Sequence, residues 1–311
     1  MIQVFKWLEN RYIELDKVEK SCWINVVNPE RQELEKLSHE ISVPFDFLTD
    51  PLDIDERARI ENEEGVLLIV LRIPDYDEND SEVPFITIPA GIILTKDGSV
   101  VTICSSDLTE LLELYVGRGK YIVTGNRSVF VLRIFLKTAL LYLKFLKEIN
   151  RRTRDTEKEL QKSLKNEELI KLLNIEKSLV FFTTALKSNE LMMERLLKTK
   201  MLALTPDDED MLEDVIIENK QAIEMVNIYS NILSGMMDAF ASVINNNMNA
   251  VMKILTAMTI LLMIPTLVTS IYGMNIQLPF QNFRYAIGIV AGISIALSLS
   301  AALFFFKKRW F

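Results

Sequence analysis

The sequence predicts an α/β domain followed by long helices and two C-terminal transmembrane helices. Three observations carry that prediction. Up to about Gly125, short β-branched runs alternate with turn residues. From Arg127 onward strand signals nearly vanish, and Leu, Lys and Glu recur at helical spacing. Finally, no charged residue occurs from Ile254 to Phe283 or from Tyr285 to Phe306. Each run supplies the roughly 20 apolar residues that a spanning helix needs.

Taken in order, Met1 to Asn10 mixes charge with short apolar stretches and does not read as a signal peptide. Cys22 to Val27 is β-rich and is closed by Asn28-Pro29, and Glu30 to Ile41 has helical spacing. Val66 to Ile73, Phe85 to Leu94 and Val100 to Cys104 read as strands, with Lys96-Asp97-Gly98 as a turn. Asp107 to Val116 reads as a short helix. Residues 1–126 are therefore assigned to the α/β domain.

Residues 127–204 form a helical hairpin in this reading, with helices from Ser128 to about Leu164 and from Asn166 to about Leu202. Thr205 then caps a new helix, Pro206 suits its first position, and Asp207, Asp208, Glu209 and Asp210 complement its dipole. The next proline is Pro265, and Gly235 is the only glycine between the two. One continuous helix from about Pro206 to Tyr272 would be roughly 100 Å long. It divides into a stalk (205–250) and a first span (251–272). A short loop (273–284), a second span (285–306) and a basic tail (307–311) complete the chain.

The 311 residues are 49% hydrophobic with a formal net charge of −8, and every acidic residue lies before Lys253. This acidity and the lack of a basic stripe argue against nucleic acid as a partner. No phosphate-binding loop is present, so nucleotide is not expected. Cys22 and Cys104 follow no metal or redox spacing and read as buried thiols. The single histidine, His39, excludes a His-rich metal site within one chain and reads as a surface residue. No nucleophile–base pairing is found, so an enzyme is not expected. Lys253 precedes the first span, and Lys307, Lys308 and Arg309 follow the second, whereas the intervening loop carries only Arg284. The positive-inside rule places both termini in the cytoplasm of a multi-pass protein of the cell (inner) membrane, in contact with lipid.

On a helical wheel, Asn249, Met252, Leu255, Thr256, Thr259, Met263, Thr266 and Ser270 fall within an arc of about 120°. Ala250, Ile254, Leu261 and Val268 lie opposite. A polar face in hydrocarbon must meet protein or water. Two readings stay open here: packing against another helix, or lining a water-filled path shared by several copies of the chain. The face holds no carboxylate. Amide and hydroxyl oxygens suit a cation that keeps its water, and Mg²⁺ gives up its first shell reluctantly. Met252, Leu255 and Met263 would be apolar collars able to close such a path by dewetting.

The loop after the first span opens with Tyr272-Gly273-Met274-Asn275. With two C-terminal spans, a basic aromatic tail (Phe306 to Phe311) and a long preceding helix, this resembles the CorA family of divalent-cation transporters. The segments Asn249 to Thr256, Gly235 to Asp238 and Asp53 to Glu61 are also similar to the family pattern. The resemblance implies a funnel-shaped homopentamer that transports Mg²⁺, with Co²⁺ or Ni²⁺ as alternative substrates. Gly273, Met274 and Asn275 would form the selectivity filter, Asn275 binding hydrated Mg²⁺ through its waters. Gly273 would let the backbone turn closely, and Gly273 and Asn275 equally suit a helix C-cap. The outer loop from Ile276 to Asn282 lacks the acidic residues that family members often carry, and Pro265 is expected to kink the first span.

The resemblance further implies closure by cytoplasmic Mg²⁺ bound between subunits. Asp214 stands at the matching stalk position, and its partners would come from Asp75, Asp77, Glu78 and Asp80. Those carboxylates would repel one another until a cation neutralises them. Two alternatives remain: a Zn²⁺, Co²⁺ or Ni²⁺ transporter of the same superfamily, and a membrane-anchored coiled-coil scaffold that transports nothing.

Overall fold

The computed structural model describes residues 1–8, 11–76, 83–106, 126–162, 166–274, 284–308 and 310. It divides into two compact units, Met1–Gly235 and Met236–Phe311. The helix expected at Asp107 to Val116 lies outside the described residues.

The first unit is built on a seven-stranded mixed sheet. Its strands are β1 (Ile2–Leu8), β2 (Arg11–Leu15), β3 (Cys22–Val27), β4 (Arg59–Glu63), β5 (Val66–Tyr76), β6 (Phe85–Leu94) and β7 (Val100–Cys104). The order is β2-β1-β3-β7-β6-β5-β4. β3 and β7 run parallel, with Trp23 opposite Val100, and the other neighbours are antiparallel.

Both sheet faces are covered, which is why β5 and β6 read as nearly continuous apolar runs. Leu67, Ile69, Leu71 and Ile73 point to one core, Val66, Leu68 and Val70 to the other. On the second side lie α1 (Arg31–Ile41) and α2 (Phe45–Thr49). On the first lie α3 (Arg127–Lys162), α4 (Asn166–Thr199) and the start of α5 (Pro206–Tyr272). The expected strands and long helices are present. β1, β2, β4 and α2 were not expected. β4, Arg-Ile-Glu-Asn-Glu, buries only Ile60, because it is an edge strand with no apolar alternation to reveal it.

Local rules explain the element ends. Gly98 takes φ +95° in the turn between β6 and β7. Thr205 and Asp208 cap α5 reciprocally: the Asp208 N–H donates to Thr205 Oγ1 (3.3 Å) and the Thr205 N–H to Asp208 Oδ2 (3.0 Å). His39 is exposed. Cys22 and Cys104 are buried free thiols, and burial pushes Cys104 up to about 11.

Helix and sheet are tied together at Arg72. Here the β4 ladder has ended, since Arg59 pairs with Val70, and β6 places Pro89, which has no N–H, opposite Arg72. Asn189 of α4 takes over: its Oδ1 accepts the Arg72 N–H (2.9 Å) and its Nδ2 donates to the Arg72 carbonyl (2.7 Å). The Tyr142 hydroxyl donates to the same carbonyl at 3.1 Å. The Arg72 guanidinium donates to the Ile54, Glu56 and Thr87 carbonyls and to the Thr87 hydroxyl. Asn189→Ala should therefore lower stability by about 1–3 kcal/mol, since the Arg72 N–H loses its partner while the Arg72 carbonyl keeps the Tyr142 hydroxyl. Chemical denaturation of the purified protein measures this; an unchanged midpoint would show that water replaces the amide.

The second unit holds the remainder of α5, from Met236 to Tyr272, and α6 (Ala286–Lys307). Both helices are long and apolar enough to cross a membrane. After α6 the Trp310 ring lies 5.1 Å from that of Phe305. An aromatic beside Lys307 and Lys308 suits the boundary between lipid and water.

Candidate functional site

The eight residues of the wheel-predicted arc sit on one unbroken helix, α5. All eight, Asn249, Met252, Leu255, Thr256, Thr259, Met263, Thr266 and Ser270, are exposed in the single chain. Between residues 249 and 272, the residues that are covered are Ala257, Leu261, Ile264, Pro265, Val268 and Tyr272. At 100° per residue their mean direction lies about 170° from the centre of the exposed arc. The groove between α5 and α6 is lined by Leu261, Pro265, Thr269 and Tyr272 on one side and by Ala291, Ser294, Ser298 and Ala302 on the other. The second span thus sits behind the first, and the polar arc faces away from it. Leu261 and Val268 are covered as the wheel anticipates, while Ala250 and Ile254 remain exposed.

The hydroxyls on this face have a defined polarity. Thr259 donates to the Leu255 carbonyl (2.9 Å) and Thr266 to the Leu262 carbonyl (3.0 Å). With each proton directed back along the helix, the oxygen lone pairs remain as acceptors. Acceptors suit the outward O–H groups of a hydrated cation. Thr269 is a hydroxyl outside the arc. It bonds to the Pro265 and Thr266 carbonyls at 3.0 and 3.1 Å, which satisfies it beside α6. Pro265 has no N–H for the Leu261 carbonyl, yet the helix continues to Tyr272.

At the end of α5 the Gly273 N–H donates to the Thr269 and Ser270 carbonyls (3.0 and 3.2 Å), and the Met274 N–H to Ile271 (3.3 Å). Gly273 is not among the residues with positive φ. Gly273 thus ends the helix without the left-handed backbone of a glycine cap. A Cβ on Gly273 would lie 3.4 Å from the Thr269 carbonyl oxygen, so one chain's backbone tolerates a methyl there with little movement. Asn275 lies outside the described residues.

Asp214 is exposed on the first-unit part of α5 and shares a groove with Asp207, Asp210 and Glu218. Asp75 is half-buried at the end of β5, where its carboxylate accepts hydrogen bonds from the Tyr76 N–H (2.9 Å) and the Ser106 hydroxyl (3.2 Å). Asp77, Glu78 and Asp80 lie outside the described residues. Among the described residues no three His, Cys, Asp or Glu side chains are grouped so as to hold a metal.

A two-faced α/β/α unit, a 67-residue helix and two membrane-length helices with a polar face turned outward define a two-span membrane protein with a large extramembrane domain. The pattern of the family described as CorA-like Mg²⁺ transporter protein matches residues 18–309, and the chain belongs to the CorA family. The cobalt/magnesium transport protein CorA of Methanocaldococcus jannaschii is 29% identical over 294 residues, covering 93% of this chain and 90% of that protein. The complete structure of the CorA magnesium transporter from the same organism superposes with a TM-score of 0.83 at 25% identity, covering 100% of this chain and 99% of that one. The cytoplasmic domain of ZntB from Vibrio parahaemolyticus shares the fold alone, with a TM-score of 0.59 at 10% identity over 79% of this chain and 97% of that one.

Proposed function

We propose that this protein is a homopentameric channel or transporter that admits Mg²⁺ down its electrochemical gradient. The observation that carries the proposal is the phase of α5: its polar arc is uncovered while its apolar side backs onto α6. Five copies would close that arc around an axis. Acceptor oxygens from Asn249, Thr256, Thr259, Thr266 and Ser270 would then meet the waters of a hydrated cation. Gly273, Met274 and Asn275 would form the selecting ring at the outer mouth, with both termini in the cytoplasm of the inner membrane. The potential contributes about 4.6 kcal/mol per divalent ion per 100 mV. Co²⁺ is the natural second cargo, since it also travels hydrated and the relative's name pairs the two metals. The arc offers no thiolate or imidazole to hold a soft metal.

In this reading internal Mg²⁺ closes the path by binding between subunits, with Asp214 facing Asp75, Asp77, Glu78 and Asp80 of a neighbour.

Cysteine scanning of the span tests the reading. The native thiols are buried, so background labelling should be low. An impermeant thiol reagent should block Mg²⁺ flux through Thr259→Cys, Thr266→Cys and Ser270→Cys but not through Leu261→Cys or Val268→Cys. Block of the second set, or of neither, would assign the polar face to helix packing.

A further inference from the structure

The chain is acidic as a whole, yet one groove of the first unit is basic. It has a volume of about 710 Å³ and lies where α3 passes the end of β5 and the start of β6. α3 supplies Lys144, Lys147, Arg151 and Arg152 to its wall, against a single carboxylate, Glu148. Lys144, Lys147 and Arg151 are exposed. They fall within about 60° of the helix surface and span about 10 Å along it. Glu148 aligns the two arginines: Arg151 donates to it through Nε (2.9 Å) and Nη2 (2.7 Å), and Arg152 through Nε (3.0 Å). These bonds from Arg151 and Arg152 hold the Glu148 carboxyl below the usual carboxylate range. Arg152 is fixed further. It donates to the Tyr76 hydroxyl at 3.0 Å, and its guanidinium lies 5.0 Å from the ring centres of both Tyr76 and Phe85. The half-buried Phe145 ring sits 5.7 Å from that of Phe85 and completes the wall. Among the described residues Lys147 has no carboxylate partner.

We propose that this groove binds a phosphate-rich anion, a chain of linked phosphates carried by a nucleotide or present as inorganic polyphosphate. The site lies in the extramembrane unit and does not depend on the pore reading above. No phosphate-binding loop is present, so side chains rather than backbone N–H groups would hold the phosphates. Arginines already aligned by Glu148 and the aromatic rings lose little freedom on binding. Cations set in a row along one helix face match an extended line of charge better than one compact ion. The volume falls in the range of small-molecule sites. In a chain of net charge −8, four cations gathered in one groove make a local field that draws anions. The Phe145 ring offers a flat apolar surface on which a base can stack, and here a nucleotide would differ from a bare phosphate chain.

The test is equilibrium binding of ATP and, separately, of tripolyphosphate to the full-length protein in detergent, at low salt and without divalent cations. At least one should bind with a Kd below about 1 mM, and added salt should weaken it. Lys147→Gln and Arg151→Gln should each weaken binding about tenfold. Lys158→Gln, which removes an exposed cation of α3 outside the groove, should stay within about twofold of wild type. Elution of each variant as the wild-type oligomer checks that it folds. If Phe145→Ala weakens ATP about tenfold and leaves tripolyphosphate within about twofold, the site takes a nucleotide. If it treats both alike, the site takes the phosphate chain itself. Binding that neither Lys147→Gln nor Arg151→Gln weakens, or no binding of either anion below about 1 mM, overturns the proposal and leaves the groove to an acidic protein surface.

Discussion

Asn275→Ala is expected to lower Mg²⁺ flux by about two orders of magnitude, or to leave a path that no longer discriminates among cations. The basis is hydrogen bonding to a charged complex. A bond between a neutral amide and an ionic partner contributes about 1.5–3 kcal/mol. Losing even two of five such bonds removes some 3 kcal/mol, roughly a hundredfold in rate. The outer loop makes the dependence sharper, because Ile276 to Asn282 holds no carboxylate to gather cations by charge. In the proposed filter Asn275 would do the capturing as well as the selecting. A variant that assembles normally and still carries Mg²⁺ within twofold of wild type would remove Asn275 from the filter.

The second large effect concerns closure. Leu255 is 59% exposed in the single chain and lies on the polar arc, with Met252 one turn before it and Met263 further along. In the proposed pore such an apolar collar would expel water when the path narrows. Leu255→Ser should keep the collar wet. Flux should then persist at cytoplasmic-side Mg²⁺ concentrations that shut the wild type. Proteoliposomes loaded with graded internal Mg²⁺ measure it. Normal closure in Leu255→Ser would move the gate elsewhere on the arc.

Much of this molecule is legible in its residues. Runs such as Val66 to Ile73 announce strands buried on both faces, and the capped start at Thr205 announces the long helix. The arc on α5 is legible because polar residues recur at the helical period within an otherwise apolar span. What could not be read has physical causes. β4 is an edge strand whose outward Glu61 and Glu63 meet water, so no apolar alternation marks it. Residue type alone does not say which backbone Gly273 adopts at the end of α5; its N–H bonds and φ place it in an ordinary helix end. The Asn189 bridge to Arg72 joins residues 117 positions apart, and local pattern carries nothing about such pairs.

The central claim is that the uncovered face of α5 carries divalent cations. The most direct measurement is Mg²⁺ influx into proteoliposomes of the wild-type protein under an inside-negative potential, with Co²⁺, Ni²⁺ and Zn²⁺ as competitors. The account predicts Mg²⁺ entry that Co²⁺ competes for and that grows with the potential. Zn²⁺ flux without Mg²⁺ flux would contradict the hydrated-ion filter, and no flux of any divalent cation through a folded, assembled protein would contradict transport itself.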